Sequence, residues 1–162
     1  MPTVRLMACG APLASRLHDV AKALDAAGWS VSVMATEAAA HWLGEQGQEP
    51  GVRRPDALVV CPLTFNSANK WLLGVADTRP MSLLCEALGA GIPIVAVPFL
   101  NDSLWAHPAV TRTLDGLMHA GVRLLDPGTG KLGPDPVQSG TGDDVAVRFD
   151  PAWLVKALPA LR

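Results

Sequence analysis

Short apolar runs of strand type alternate with helical patterns along this chain, and that alternation limits its fold more than any other feature. Val4 to Cys9 (VRLMAC) carries no stable helical stripe and stops at Gly10, so it reads as a buried first strand. Trp29 to Ala35 (WSVSVMA) is alternating and β-branched and gives a second. Ala57 to Cys61 (ALVVC), Ile94 to Val97 and Val122 to Leu125 supply three more. Between the first two, Leu13, Leu17, Val20 and Leu24 recur at helical spacing, with Pro12 in the first turn and Gly28 at the stop. Glu37 to Leu43 reads as a short helix, as does Met81 to Leu88. His107 to Ala120, with Pro108 near its start and Gly121 after its end, is a longer one. Asp150 to Leu161 reads as a terminal helix, with Asp150 as N-cap and Pro151 at its first position. Strands separated by helices require βαβ crossovers and hence a mainly parallel sheet covered on both faces. The expected fold is therefore α/β: a single doubly wound, Rossmann-like (flavodoxin-like) domain.

Composition bounds what such a domain does. With 162 residues the chain suits one domain, 1–162, with a sizeable core. Its net charge of −2 offers no basic footprint, so nucleic acid is not an expected partner. No apolar run approaches the roughly 18 residues that span a bilayer. No signal peptide or anchor is apparent, so the expectation is a cytoplasmic protein with no membrane contact. Cys9, Cys61 and Cys85 are odd in number and form no C-x-x-C, which argues against a disulfide framework and against a structural metal. Two stretches break the pattern. Gly44 to Asp56 is polar and reads as a connection. Asp126 to Asp144 holds eight Gly or Pro residues, too long for an ordinary link, and suggests a mobile flap or a disordered excursion.

In open parallel sheets, ligands bind beyond the carboxyl ends of the strands. Four segments fall there: Gly10-Ala11, Thr36, Pro62 to Asn69, and Pro98 to Trp105. The helix after Gly10 offers free N–H groups and a positive dipole end that suit a phosphate, and Thr36 adds a hydroxyl. The plainer readings are that Gly10 eases a turn and Thr36 caps a helix. No G-x-G-x-x-G is present, so a dinucleotide is not indicated.

The run Pro62 to Thr78 (PLTFNSANKWLLGVADT) resembles the P-A-S-A-N-T…K…G-I-A-D-N motif of the flavin-containing cysteine decarboxylases, with Pro62, Asn66, Lys70, Gly74 and Asp77 in register. That family includes phosphopantothenoylcysteine decarboxylase and the lantibiotic-peptide decarboxylases. Pro98 to Trp105 (PFLNDSLW) resembles the family's P-x-M-N-x-x-M-W element, with Leu twice in place of Met. The resemblance implies FMN as cofactor. It places the phosphate by Gly10, Ala11 and Thr36, and the isoalloxazine ring against Pro62, Thr64, Phe65, Asn66 and Ser67. Asn66 and Asn101 become the candidate catalytic residues, facing a small-molecule or peptide substrate. Each has a structural alternative: an N-cap for Asn66, and an Asx-turn for Asn101. Trp71 and Trp105 read as packing or subunit contacts. The resemblance further implies a homotrimer, or a multiple of one, with flavin sites between subunits.

The departures from the family pattern bear on chemistry. Its decarboxylases carry a histidine before the third strand, and Gly44 to Asp56 has none; His41 lies upstream. The phosphate-loop serine is Ala11, and no cysteine follows Cys85 in the flap region. The expectation is an FMN-binding, decarboxylase-like enzyme lacking its usual base. An FMN-dependent oxidoreductase or reductase, and a non-catalytic flavin-binding oligomer, stand as alternatives.

Overall fold

The computed structural model describes residues 1–43 and 54–161. Five strands form one parallel sheet: β1 (Thr3–Ala8), β2 (Ser30–Ala35), β3 (Ala57–Leu63), β4 (Ile94–Pro98) and β5 (Arg123–Leu124), in the order β2-β1-β3-β4-β5. Register runs Val4 against Val31 on one side of β1 and against Ala57 on the other.

Because side chains alternate along a strand, each central strand feeds two cores. Val4, Leu6, Ala8, Val59 and Val95 face one way. Met7, Leu58, Val60, Ile94 and Ala96 face the other. On the first face pack a 3-10 helix (Pro12–Arg16) and α1 (Leu17–Ala26), whose Leu13, Leu17, Val20 and Leu24 stripe is fully buried. They are joined there by α7 (Gly142–Arg148) and α8 (Ala152–Ala157). On the second face lie α3 (Phe65–Leu73), α4 (Arg79–Gly89) and α6 (Ala109–His119). The sheet is doubly wound, as its strand pattern requires.

Several boundaries differ from the sequence reading. Glu37 to Leu43 divides into a 3-10 turn (Glu37–Ala39) and α2 (Ala40–Leu43). β3 runs on through Pro62 to Leu63, with a register shift between Val60 and Leu63. A short α5 (Asp102–Trp105) follows Asn101, and α7 begins inside the Gly- and Pro-rich stretch. Trp71, read as packing or subunit contact, is a core residue. It is 1% exposed and donates its Nε1–H to the Leu84 carbonyl at 2.9 Å, which takes it out of any subunit surface. The expected connection Gly44 to Asp56 lies, for residues 44–53, outside the described residues. Among the described residues no helix is long and apolar enough to cross a membrane, and no His, Cys, Asp and Glu group is arranged to hold a metal ion.

Candidate functional site

The chain steps from β1 outward to β2, then returns past β1 to β3, so the strand order reverses between β1 and β3. At such a reversal the loops leaving the two strands diverge and open a crevice at their carboxyl ends. Two adjoining chambers occupy it, of about 530 Å³ and about 360 Å³, within the range of small-molecule sites. Gly10, Thr64 and Asn66 line both and form the partition between them.

The wall begins with the loop after β1. The Cys9 N–H donates to the Pro62 carbonyl at 3.0 Å, which ties that loop to the end of β3. Gly10 passes so close to the next strand's loop that a Cβ there would lie 2.7 Å from Ala38 Cβ and 2.8 Å from the Ala38 carbonyl. Only glycine fits this crossing. Ala11 follows at the floor of the larger chamber.

The loop after β3 becomes the first turn of α3. Its N-cap is Thr64, whose hydroxyl accepts from the Ser67 N–H at 3.3 Å. Asn66 is therefore not the cap. Its amide is exposed in the partition, with no protein partner among the described residues. Ser67 and Ala68 find acceptors at Thr64. The amide N–H groups of Phe65 and Asn66, the other two of the first turn, have none among the described residues. Behind this turn the Cys9 thiol lies against the hydroxyls of Ser67 and Thr64, and burial pushes its pKa up.

The two chambers differ in chemistry. Thr36, Ser67, Glu37 and Lys70 line the smaller. Lys70 there pairs with Asp77 at 2.7 Å, which holds the Asp77 carboxyl below its ordinary range. Thr36 Oγ1 is buried with no hydrogen-bond partner among the described residues. A buried hydroxyl without a partner is costly in a folded chain, so an absent ligand is a natural place to look for its acceptor. The larger chamber is walled by Trp42, Phe65, Phe99 and Leu104, with Asn101 at its edge. Asn101 Oδ1 accepts from the Leu104 N–H at 3.0 Å as the N-cap of α5, which leaves its amide N–H₂ for a ligand.

Residues 137–140 and 142 form a further wall of the larger chamber. Val137 bridges to Asn101 and donates its N–H to the Leu100 carbonyl at 2.8 Å. The Ser139 N–H reaches Asp102 Oδ2 at 3.1 Å. The buried Asp126 carboxylate shapes the stretch before them by accepting from Gly128 N–H, Thr129 Oγ1 and Asp135 N–H. At the far end, Arg16 Nη1 donates to the carbonyls of Ala146, Val147 and Phe149 at 2.8, 2.9 and 3.1 Å.

Of the residues proposed from sequence, Gly10, Ala11, Thr64, Phe65, Asn66 and Asn101 meet in the larger chamber. Thr36 and Ser67 join Gly10, Thr64 and Asn66 in the smaller. Pro62 is not brought to either wall; it lies buried inside β3, its carbonyl engaged by Cys9. Sequence reasoning missed Trp42, and it reads Asp126 to Asp144 as a mobile flap or a disordered excursion, whereas residues 137–142 of that stretch form an ordered wall of the larger chamber tied to Leu100, Asn101 and Asp102. The one signal there was Val137, an isolated apolar residue amid Gly and Pro, whose pairing is with Asn101. His41 stacks edge-on against Trp42 and His107 edge-on against Phe65, each with ring centroids 5.3 Å apart; neither lines a chamber.

Comparison with known proteins agrees with this architecture. The chain is similar to the coenzyme A biosynthesis bifunctional protein CoaBC of Thermococcus kodakarensis, 30% identical over 74 residues. That match covers 46% of this chain and spans about a fifth of the relative, 18% of its length. A PPC decarboxylase mutant complexed with pantothenoylaminoethenethiol superposes with a TM-score of 0.72 at 19% identity, covering 96% of this chain and 94% of that one. The FMN-dependent cysteine decarboxylase SpaF gives 0.67 at 23% identity, covering 97% of each chain. At these identities the two structures establish a shared fold. The family described as Flavoprotein matches residues 49–143, more than half of the sequence and both motif segments, Pro62–Thr78 and Pro98–Trp105. On that match the chain is a member of the flavoprotein family.

Proposed function

We propose that this chain binds FMN across the two chambers and uses it in a decarboxylase-like reaction on a small thiol or a peptide C-terminus. The observation that carries the reading is the buried Thr36 hydroxyl without a partner, beside the Gly10–Ala38 crossing. A phosphate oxygen in the smaller chamber gives that hydroxyl its acceptor, and Lys70 supplies a positive charge in the same wall. Phe65 and the Phe65 and Asn66 amides suit a flat ring with carbonyl edges. The residues present therefore fit a flavin mononucleotide, and the missing dinucleotide fingerprint disfavours FAD.

Flavin supplies the redox step in such chemistry, and the protein's part is to bind, orient and exclude water. Asn66 can donate to and accept from a substrate group at the partition, and the Asn101 amide can donate from the opposite edge. Segment 126–144 acts as the flap over the larger chamber, its opening limited by the Val137–Leu100 and Ser139–Asp102 contacts. The active assembly is a homotrimer, or a multiple of one, with neighbouring subunits completing each site.

A second reading has its own support. No His, Asp, Glu or Cys lines the larger chamber among the described residues, and the sequence of Gly44 to Asp56 holds no histidine. General base catalysis contributes about 10²–10⁴-fold, so the family's reaction is slowed by that order without it. Unless a neighbouring subunit supplies the base, the family's decarboxylation is disfavoured, and an FMN-dependent reduction is the alternative use of the same site. The test is to load the protein with FMN and follow carbon dioxide from cysteine-ended substrates, with Asn66→Ala as control. Negligible turnover of phosphopantothenoylcysteine is expected, together with weaker FMN binding by the variant. Brisk release of carbon dioxide from that substrate refutes the missing-base argument, and Asn66→Ala binding FMN like the parent refutes the placement of Asn66.

A further inference from the structure

Phe65 borders two spaces at once: the larger chamber, and a narrow gap between α3 and α6 that it shares with Val110 and Leu114 and that is too tight to hold a water. Its place at the chamber wall therefore depends on what grips the ring. His107 does so. The two rings meet edge-on, with centroids 5.3 Å apart and planes at 74°, the arrangement in which a positive ring edge meets a negative ring face. The imidazole is anchored in turn, because its Nδ1 accepts from the Ala109 N–H at 3.1 Å at the start of α6. α6 is itself fastened to α3, the helix that carries Phe65. Thr113 Oγ1 donates to Asn69 Oδ1 at 2.6 Å, and Gly116 lies so close to Leu72 that a Cβ there would stand 2.7 Å from Leu72 Cδ1. Phe65 is thus clamped between its own helix and a histidine seated at the head of the neighbouring one.

We propose that His107 is a positioning residue for the flavin site: it fixes the Phe65 ring as an aromatic wall of the larger chamber without touching the ligand itself. The proposal rests on the flavin reading above and assigns to that site a residue that lies outside both motif segments. His107 lines neither chamber, so its effect on a ligand passes through Phe65. Without the imidazole, the Phe65 ring tilts toward the gap for part of the time. The affinity for a flat ligand then falls by the fraction of molecules whose wall is out of place. Loss of one edge-to-face contact corresponds to about a two- to tenfold change. His107 also has a purely structural duty, as acceptor for an N–H in the first turn of α6. The two duties separate by substitution.

His107→Asn keeps a side-chain acceptor for the Ala109 N–H and removes the ring, whereas His107→Phe keeps a ring and removes the acceptor. FMN affinity is read by fluorescence titration, and the surroundings of the bound flavin by visible circular dichroism. His107→Asn is expected to bind FMN about two- to tenfold more weakly and to shift the flavin dichroism toward that of Phe65→Leu. His107→Phe is expected to keep the affinity and dichroism of the parent while melting at a lower temperature. In a Phe65→Leu background, His107→Asn should change neither readout further. Parental affinity and dichroism in His107→Asn overturn the proposal. So does an equal loss in both His107 variants, which reduces the residue to a helix cap, and so does an effect of His107→Asn that persists in full without Phe65. If the parent takes up no FMN, the flavin reading fails on its own, and the grip on Phe65 is decided by NMR of the flavin-free protein. The Phe65 ring should then flip faster in His107→Asn than in the parent, and an unchanged rate refutes the grip.

Discussion

Thr36→Val separates a ligand-binding hydroxyl from a structural one, because the two roles predict opposite signs. Valine keeps the shape of threonine and removes the Oγ1 atom, which is buried with no partner among the described residues. An unsatisfied buried polar group costs about 1–3 kcal/mol, so replacing it stabilises the flavin-free protein by about 1–2 kcal/mol. For a domain of this size that raises the melting temperature by roughly 2–8 °C. The backbone at Thr36 is extended (φ −70°, ψ 159°), a region β-branched valine favours. With FMN bound the sign reverses. A hydrogen bond to a charged group contributes about 1.5–3 kcal/mol, so its loss weakens FMN by roughly ten- to 150-fold. Thermal melts with and without FMN, and a fluorescence titration, read both quantities. A variant whose free form is less stable, or whose FMN affinity is unchanged, refutes the assignment of this hydroxyl to the phosphate.

Three further outcomes follow from the geometry. Gly10→Ala forces its Cβ against Ala38 and is expected to cost about 1–3 kcal/mol and to lower FMN affinity. Adding Ala38→Gly restores only part, since the carbonyl contact remains, and full activity in the single variant contradicts the crossing. Arg16→Ala removes the donor to three carbonyls at the end of α7 and should lower stability by roughly 2–3 kcal/mol, or about 4–12 °C in melting temperature. Limited proteolysis should then cut first in residues 137–150, and an unchanged pattern sinks that role. Burial raises the thiol pKa of both Cys9 and Cys61 in the folded chain. Unfolded thiols ionise near pH 8.5 while the folded ones stay protonated, so their contribution is complete below that pH and is lost as pH rises above it. Denaturant melts should show stability falling above about pH 8.5, with a shallower fall in Cys9→Ala/Cys61→Ala; equal slopes contradict it.

The sheet was legible because its signals are local. ALVVC and IVAV are buried on both faces, and the Leu13–Leu24 stripe needs only its own helical period to be recognised. The crevice lining is legible where it coincides with strand ends, which is why Gly10, Thr36 and the Thr64–Ser67 turn are found along it. Pro62 opens the motif yet lines neither chamber, because β3 runs on through it with a register shift and its carbonyl accepts from the Cys9 N–H. The order of the wall at 137–142, inside the stretch whose sequence reads as a flap or a disordered excursion, is not legible because it comes from partners far away in sequence: Leu100, Asn101 and Asp102 on one side and Arg16 on the other. Hydrophobic periodicity cannot report contacts of that kind. For Trp71 the packing alternative holds, and the contact of α3 with α4 is what decides it.

The central claim is that this cleft holds FMN, and native mass spectrometry of the protein as purified tests it most directly. The account predicts one ligand of FMN mass per subunit, released as FMN on denaturation and retained poorly by Thr36→Val. Recovery of FAD, or a flavin-free protein that stays colourless after incubation with excess FMN, contradicts it.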